Sequence, residues 1–272
     1  MLRWRTLTMI GQAQGAWPWR ARLLGLGLGS VLVCALSGCA LMTPPPATPP
    51  PAALGVPTQL PLVFQAQDKA GWEPLLVPGK RHTQFRPTRH DGRNSIEARA
   101  NGSASMLRQR VRIEAAQLGR LSFEWQVAGL IDGADMTVRE REDSPARLVL
   151  AFDGDRSRFS ARNAMLNELT RSLTGEDMPY AMLMYVWSNT LPVETVIVNP
   201  RTDRIRKIVV ESGPARLQQW VHYERDVRAD YERAFGEVPG PLKGVAIMTD
   251  SDNTRGVARA WYGEIRLTAA AP

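Results

Sequence analysis

The chain has 272 residues, with 34 Lys+Arg against 27 Asp+Glu, two cysteines and a formal net charge of +7. Four of the arginines, Arg3, Arg5, Arg20 and Arg22, sit in an N-terminal leader that has no acidic residue, so the basic balance is partly a targeting feature and not a nucleic-acid footprint. No Gly-rich phosphate loop is present, which leaves out nucleotide chemistry as well.

The leader continues into Leu23–Ala35, an uninterrupted stretch of apolar and small residues. It is too short for a comfortable membrane span and has the length of a signal-peptide core. Leu36-Ser37-Gly38-Cys39 resembles the bacterial lipobox, so residues 1–38 are expected to be removed as a lipoprotein signal peptide and Cys39 to carry the acyl chains. Lys+Arg then falls from 34 to 30 against 27 Asp+Glu, and the net charge to +3. With Cys34 lost and Cys39 lipidated, the mature domain has no thiol, disulfide or Cys-ligated metal. It must be held by a core, and about 200 residues are enough to bury one. Ala40 is not the aspartate that retains lipoproteins at the inner membrane in Gram-negative sorting. The expected location is the cell envelope, lipid-anchored at the outer membrane and facing the periplasm.

Residues 39–62 read as the lipidated cysteine and a Pro/Ala linker. Pro44–Pro46 and Pro49–Pro51 favour extended polyproline geometry, a fairly stiff spacer between membrane and domain. Residues 63–268 then read as a single domain and 269–272 as a tail. Short strands are predicted over Trp72–Val77, Ser95–Ala100, Ser103–Val111, Leu121–Val127, Ala146–Phe152, Ala181–Trp187, Arg204–Glu211 and Gln218–Tyr223. Ala146–Phe152 and Ala181–Trp187 are nearly all apolar, as in strands buried on both sides. A turn is predicted at His90-Asp91-Gly92-Arg93. Two helices are predicted: Ala161–Leu173, with Met165, Leu166, Leu169 and Leu173 on one stripe, and Asp226–Phe235, with Val227, Tyr231 and Phe235 on another. Val245–Met248 and Ala260–Leu267 alternate with period two around an acidic connection, so they are expected to pair and close the sheet. In the last run Trp261, Gly263, Ile265 and Leu267 share a face. The pattern predicts a mainly β protein, an antiparallel β-sandwich of jelly-roll type with one or two short helices.

Candidate chemistry is sparse. Asp250, Asp252 and Asn253 offer oxygen ligands at the spacing a hard cation such as Ca²⁺ uses, but the rest of an EF-hand is absent, and Asp, Asn and Ser also populate turns for local hydrogen-bonding reasons. The mixed-charge run Arg139–Asp143 reads as a solvated loop. His82, His90 and His222 have no metal-ligand spacing, and no G-x-S-x-G elbow occurs. Glu124, Glu211 and Glu264 fall on predicted strands, where a pair across a cleft would suit glycoside hydrolysis. Five tryptophans remain after the leader. Trp125, Trp187 and Trp261 lie in apolar strands and are expected in the core. Trp72 and Trp220, in more polar surroundings, are the candidate ligand-binding platform.

Taken together, Pro78-Gly79-Lys80 with Thr83, Glu124-Trp125, Ala146-Arg147, Tyr180-Ala181 and Tyr185-Val186-Trp187 form an ordered set. Val210-Glu211-Ser212-Gly213, Arg225-Asp226-Val227, Asp230-Tyr231, Phe235-Gly236, Asp250-x-Asp252-Asn253-Thr254 and Ala260-Trp261-Tyr262-Gly263 complete it. The set resembles the bacterial domain-of-unknown-function family numbered 3047, over roughly Val63 to Leu267. The resemblance implies an envelope β-rich domain and supplies no catalytic residue. The closing strand is also similar to the last strand of jelly-roll carbohydrate-binding modules, a likeness of fold. Two functions are expected to compete: a non-catalytic module binding a glycan or an envelope partner, and an envelope polysaccharide hydrolase with paired carboxylates.

Overall fold

Alternation of apolar and polar side chains decides which face of each strand is buried, and among the described residues it does so along thirteen strands in two sheets. The structure, a computed structural model, describes residues 58–65 and 71–270. The signal-peptide, lipobox and Cys39 readings, and the linker up to residue 57, lie outside the described residues. The smaller sheet runs in the order β11 (Val221–Asp226), β6 (Leu118–Val127), β13 (Val257–Ala269), β4 (Arg93–Asn101), β3 (Gln84–His90), and β1 (Leu62–Phe64) also pairs with β13. The larger sheet runs β2 (Glu73–Leu76), β5 (Ala104–Ile113), β12 (Leu242–Asp250), β7 (Ser144–Phe152), β8 (Ala181–Ser188), β10 (Ile205–Ser212), β9 (Val196–Val198). The inward residues of both sheets, among them Phe123, Trp125, Leu148, Tyr185, Trp187, Ile247 and Tyr262, form one core. Trp125 and Trp187 are fully buried in it, as their strands predicted.

Several expectations are corrected by this topology. The two closing runs are not partners. β12 pairs with β5 and β7 in the larger sheet, and β13 with β4, β6 and β1 in the smaller. Residues 251–256 therefore cross from sheet to sheet, with Arg255 in the left-handed region at φ 58°. Alternation along β13 also breaks. A bulge between Tyr262 and Ile265 inserts one extra residue opposite β6 and reverses which side chains face inward. Tyr262 consequently joins the core, while Trp261 lies on the outer face, buried there beneath a stacked His90 at 3.8 Å. A Cβ on Gly263 would press on the Glu124 side chain, which would have to swing aside to admit it. One strand pair, β8 with β10, is parallel and not antiparallel, because the chain reverses twice through β9 between them.

Three strands escaped the sequence reading. β1 and β9 are three residues each, and β1 already includes Leu62, assigned above to the linker. β3 contains Pro87, which cannot donate to a ladder and is tolerated because β3 is an edge strand. It joins β4 through the predicted turn, where Asp91 and Gly92 have φ 47° and 77°, as a two-residue hairpin of the primed type requires.

Both helices form where expected. α1 (Ala161–Thr174) is capped by Ser160, whose side chain accepts from Asn163 N, and ends at Gly175 with φ 75°. α2 (Val227–Phe235) is capped by Asp226 and buries Val227 and Tyr231 against the core as predicted. The face of α1 is the reverse of the prediction. Asn163 and Asn167 are buried, whereas Met165, Leu169 and Leu173 are 65%, 53% and 60% exposed. Amide contacts hold the helix instead: Asn163 donates to Asp203 at 2.6 Å and accepts from Thr202 at 2.7 Å. Asn167 donates to Asp177 at 3.1 Å and accepts from Met178 N at 2.8 Å.

Candidate functional site

The outer face of the larger sheet is the natural place to look, because its side chains belong to neither the main core nor open solvent. Residues that alternate with the core positions on β5, β12, β7 and β8, including Met106, Met248, Val149, Met182 and Met184, form the floor of a groove. Its volume is about 510 Å³, within the range that holds small-molecule ligands. α1 supplies one wall through Leu166, Thr170 and Thr174, and Leu75 and Leu76 of β2 stand at another margin. Among the described residues, no aromatic side chain lines it. The sequence signal for this floor was present in β7 and β8, whose apolar residues on both faces announced a second buried surface.

One end of the groove holds a buried ionic cluster. Arg147, almost fully buried, donates from Nε and Nη2 to the two carboxylate oxygens of Asp250 at 2.9 and 2.8 Å, and from Nη2 to Glu142 O at 2.8 Å. Beside the floor, on the same face of β10, the fully buried Lys207 donates to Glu142 at 2.6 Å; Asn199 and Arg201 donate to the same carboxylate at 2.5 and 2.7 Å. Burial pushes the Asp250 carboxyl up to about 7 against the pull of Arg147, with the Asp143 charge adding to the rise. Burial, then the neighbouring Arg147, lowers Lys207 to about 8. Such displaced groups beside a cleft mark a functional-site candidate.

These values set a pH dependence. The Asp250 pKa is higher in the fold than in the unfolded chain, so its protonation stabilises the fold at low pH and that contribution is lost as pH rises toward about 7. Thermal melts between pH 5 and 7 are expected to show a stability decline that Asp250→Asn flattens; an unchanged slope in that variant would show that another group titrates.

The acidic loop is placed more fully than its sequence allowed. Oxygen atoms of Asp143, Asp250 and Asp252 lie within 4.8 Å of one another. Asp252 is paired with Lys80. Asp143 accepts from Asn253 N at 3.2 Å, Thr254 N at 2.7 Å and Thr254 Oγ1 at 2.6 Å, which fastens the crossing between the sheets. The Asn253 amide donates to Arg139 O at 2.7 Å, so the run Arg139–Asp143, read as a solvated loop, is instead tied to the crossing and buries Glu142 and Asp143. A cation at the three aspartates would compete with Lys80 and Arg147 for the same oxygens.

The two platform tryptophans are not brought together. Trp72 packs 6.2 Å from Phe64 and donates from Nε1 to Gln65 O at 3.1 Å. Trp220 lies on the outer side of the smaller sheet, 6.3 Å from His90, with Arg93 5.3 Å from its ring. Neither lines the groove. The strand glutamates are scattered and engaged: Glu124 with Arg93, Glu211 with Tyr223 at 2.9 Å, Glu264 with Arg266 at 2.8 Å.

No curated protein matches the chain. Among solved structures, the Cellulose induced protein Cip1 overlaps it with a TM-score of 0.37 at 9% identity, covering 76% of this chain and 96% of that one. A family 12 xyloglucanase from Bacillus licheniformis gives 0.36 at 7% identity, covering 76% and 90%. The K2 cleaved adhesin domain of Lys-gingipain gives 0.34 at 11% identity, covering 76% and 98%. Similarity at this level carries no information on ligand or chemistry. The sequence match is of a different kind: over residues 70–266, and hence most of its length, the chain belongs to the family described as Protein of unknown function (DUF3047).

Proposed function

We propose that the protein is a non-catalytic binding module of the cell envelope, held at the membrane by lipid on Cys39, and that its ligand lies in the groove on the larger sheet. The observation that carries the reading is the state of the groove's carboxylates. Glu142, Glu176, Asp177, Asp250 and Asp252 each already accept a hydrogen bond from a side chain, four of them from Arg or Lys. A groove with an apolar floor and engaged carboxylates is suited to holding a ligand; acid–base chemistry needs a carboxyl free to pass a proton. The absence of aromatic lining also favours an envelope partner other than a stacked sugar.

The hydrolase alternative draws on one feature: Asp250, with its raised pKa, has Asp252 within 4.8 Å. The two sit side by side at the end of one strand, and both Asp250 oxygens are taken by Arg147. Envelope polysaccharides incubated with the wild-type protein are therefore expected to show no new reducing ends. Release of reducing ends that Asp250→Asn abolishes would establish the enzyme instead. For the anchor, Cys39→Ser is expected to move the folded protein from the membrane to the soluble fraction; unchanged membrane association would remove the lipoprotein part of the proposal.

A further inference from the structure

We propose that the groove binds a long-chain acyl anion, a single apolar chain ending in a carboxylate; this rests on the groove being a binding site and names its ligand class. Met106, Met178, Met182, Met184 and Met248 supply much of the surface. Unbranched, polarisable thioether side chains adapt to a flexible chain better than to a rigid ring. The groove follows β12 from Lys243 to Asp250, about 23 Å at strand rise, so it is elongated.

Lys80, Arg108, Arg110, Arg147 and Arg201 are each paired with a carboxylate. Lys243 is the exception. It projects into the groove at the end opposite Asp250 and makes no hydrogen bond or ion pair among the described residues. Burial disfavours its charged form, and Asp153, Glu176 and Asp177 offset this only from beyond ion-pair distance, with Arg156 opposing them; a half-buried ammonium without a direct partner is the complement of a single anionic headgroup. A bulge between Leu242 and Gly244 aims it there.

Met165, Leu169 and Leu173 form a water-facing apolar stripe on α1, beside the Leu166, Thr170 and Thr174 that line the groove. Three large apolar side chains in a row on an exposed helix are costly in water unless they meet another apolar surface. Here they extend the apolar path from the groove outward, as an acyl chain leaving a lipid surface would require.

The test is a titration of the protein with parinaric acid, a fluorescent long-chain carboxylate, followed by displacement with hexadecanoate and with hexadecanol. Two variants block the groove. On Gly244 an added Cβ meets nothing closer than 3.5 Å, so Gly244→Phe fills the groove from its floor; Thr170→Trp fills it from the helix wall. The wild type is expected to bind the probe saturably and release it to hexadecanoate, and both blocked variants, folded by their melting curves, to lose binding. Lys243→Met is expected to weaken hexadecanoate on the order of tenfold while leaving hexadecanol unchanged. Binding that survives in both blocked variants, or an equal loss for acid and alcohol, would overturn the assignment. If hexadecanoate does not bind but an envelope extract still protects the groove strands from hydrogen exchange, the acyl assignment fails and the binding reading stands. If neither binds, both fail.

Discussion

Replacing Trp187 with alanine is expected to cost about 3–5 kcal/mol, with a similar cost for Trp125, a large part of the stability of a domain this size. Both indoles are fully buried between the sheets. Trp125 packs edge-on against Phe123, Tyr223 and Tyr262, with ring centroids 5.1, 5.5 and 6.3 Å away. Trp187 donates from Nε1 to Gly213 O at 3.1 Å, so its loss also leaves a carbonyl without that donor. Urea unfolding of both variants checks the figure. Trp261→Ala is the control, since that ring lies outside the main core; a cost for Trp187→Ala no greater than for Trp261→Ala would contradict the assignment of inner and outer faces.

Truncating Arg147 should be as damaging for a different reason. Arg147→Met removes three donor contacts and leaves Asp250 buried beside Asp143 and Asp252 without its counter-ion. Breaking a buried pair from one side costs roughly 3–5 kcal/mol. Replacing both members is much less costly, because no charge is then stranded, so Arg147→Met/Asp250→Leu is expected to recover most of the loss. Equilibrium unfolding of the two singles and the double measures the coupling. Additive effects would mean that the pair is not an energetic unit.

How much of this was legible in the sequence depends on the range of the interaction. Period-two alternation located most strands, and capping residues bounded both helices, because those signals are local: Ser160 with Gly175, and Asp226 with Gly236, are read within one turn. Which strands pair is set by long-range packing, so the final two runs, adjacent in sequence, went to opposite sheets. The β13 bulge hid in the same way, since Gly263 carries no sign that Glu124 will press against it. For α1 the apolar periodicity was real but pointed away from the core, because buried amides outcompeted it as anchors. The groove was only half visible. Its acidic end was noted as Asp250, Asp252 and Asn253, while Arg147, Glu142 and Lys207 come from three separate elements and converge only in the fold. The tryptophan platform failed as a unit because Trp72 and Trp220 lie on different sheets' margins.

The central claim, that the larger sheet's outer face is the ligand site, is tested most directly by hydrogen exchange on the protein with and without an extract of envelope lipids and glycans. The account predicts added protection over Gly244–Asp250 and along α1 from Leu166 to Thr174, the groove's floor and wall, and its loss in Gly244→Phe. Protection confined to β4, β6 and β13 around Trp261, with the groove unchanged, would contradict it.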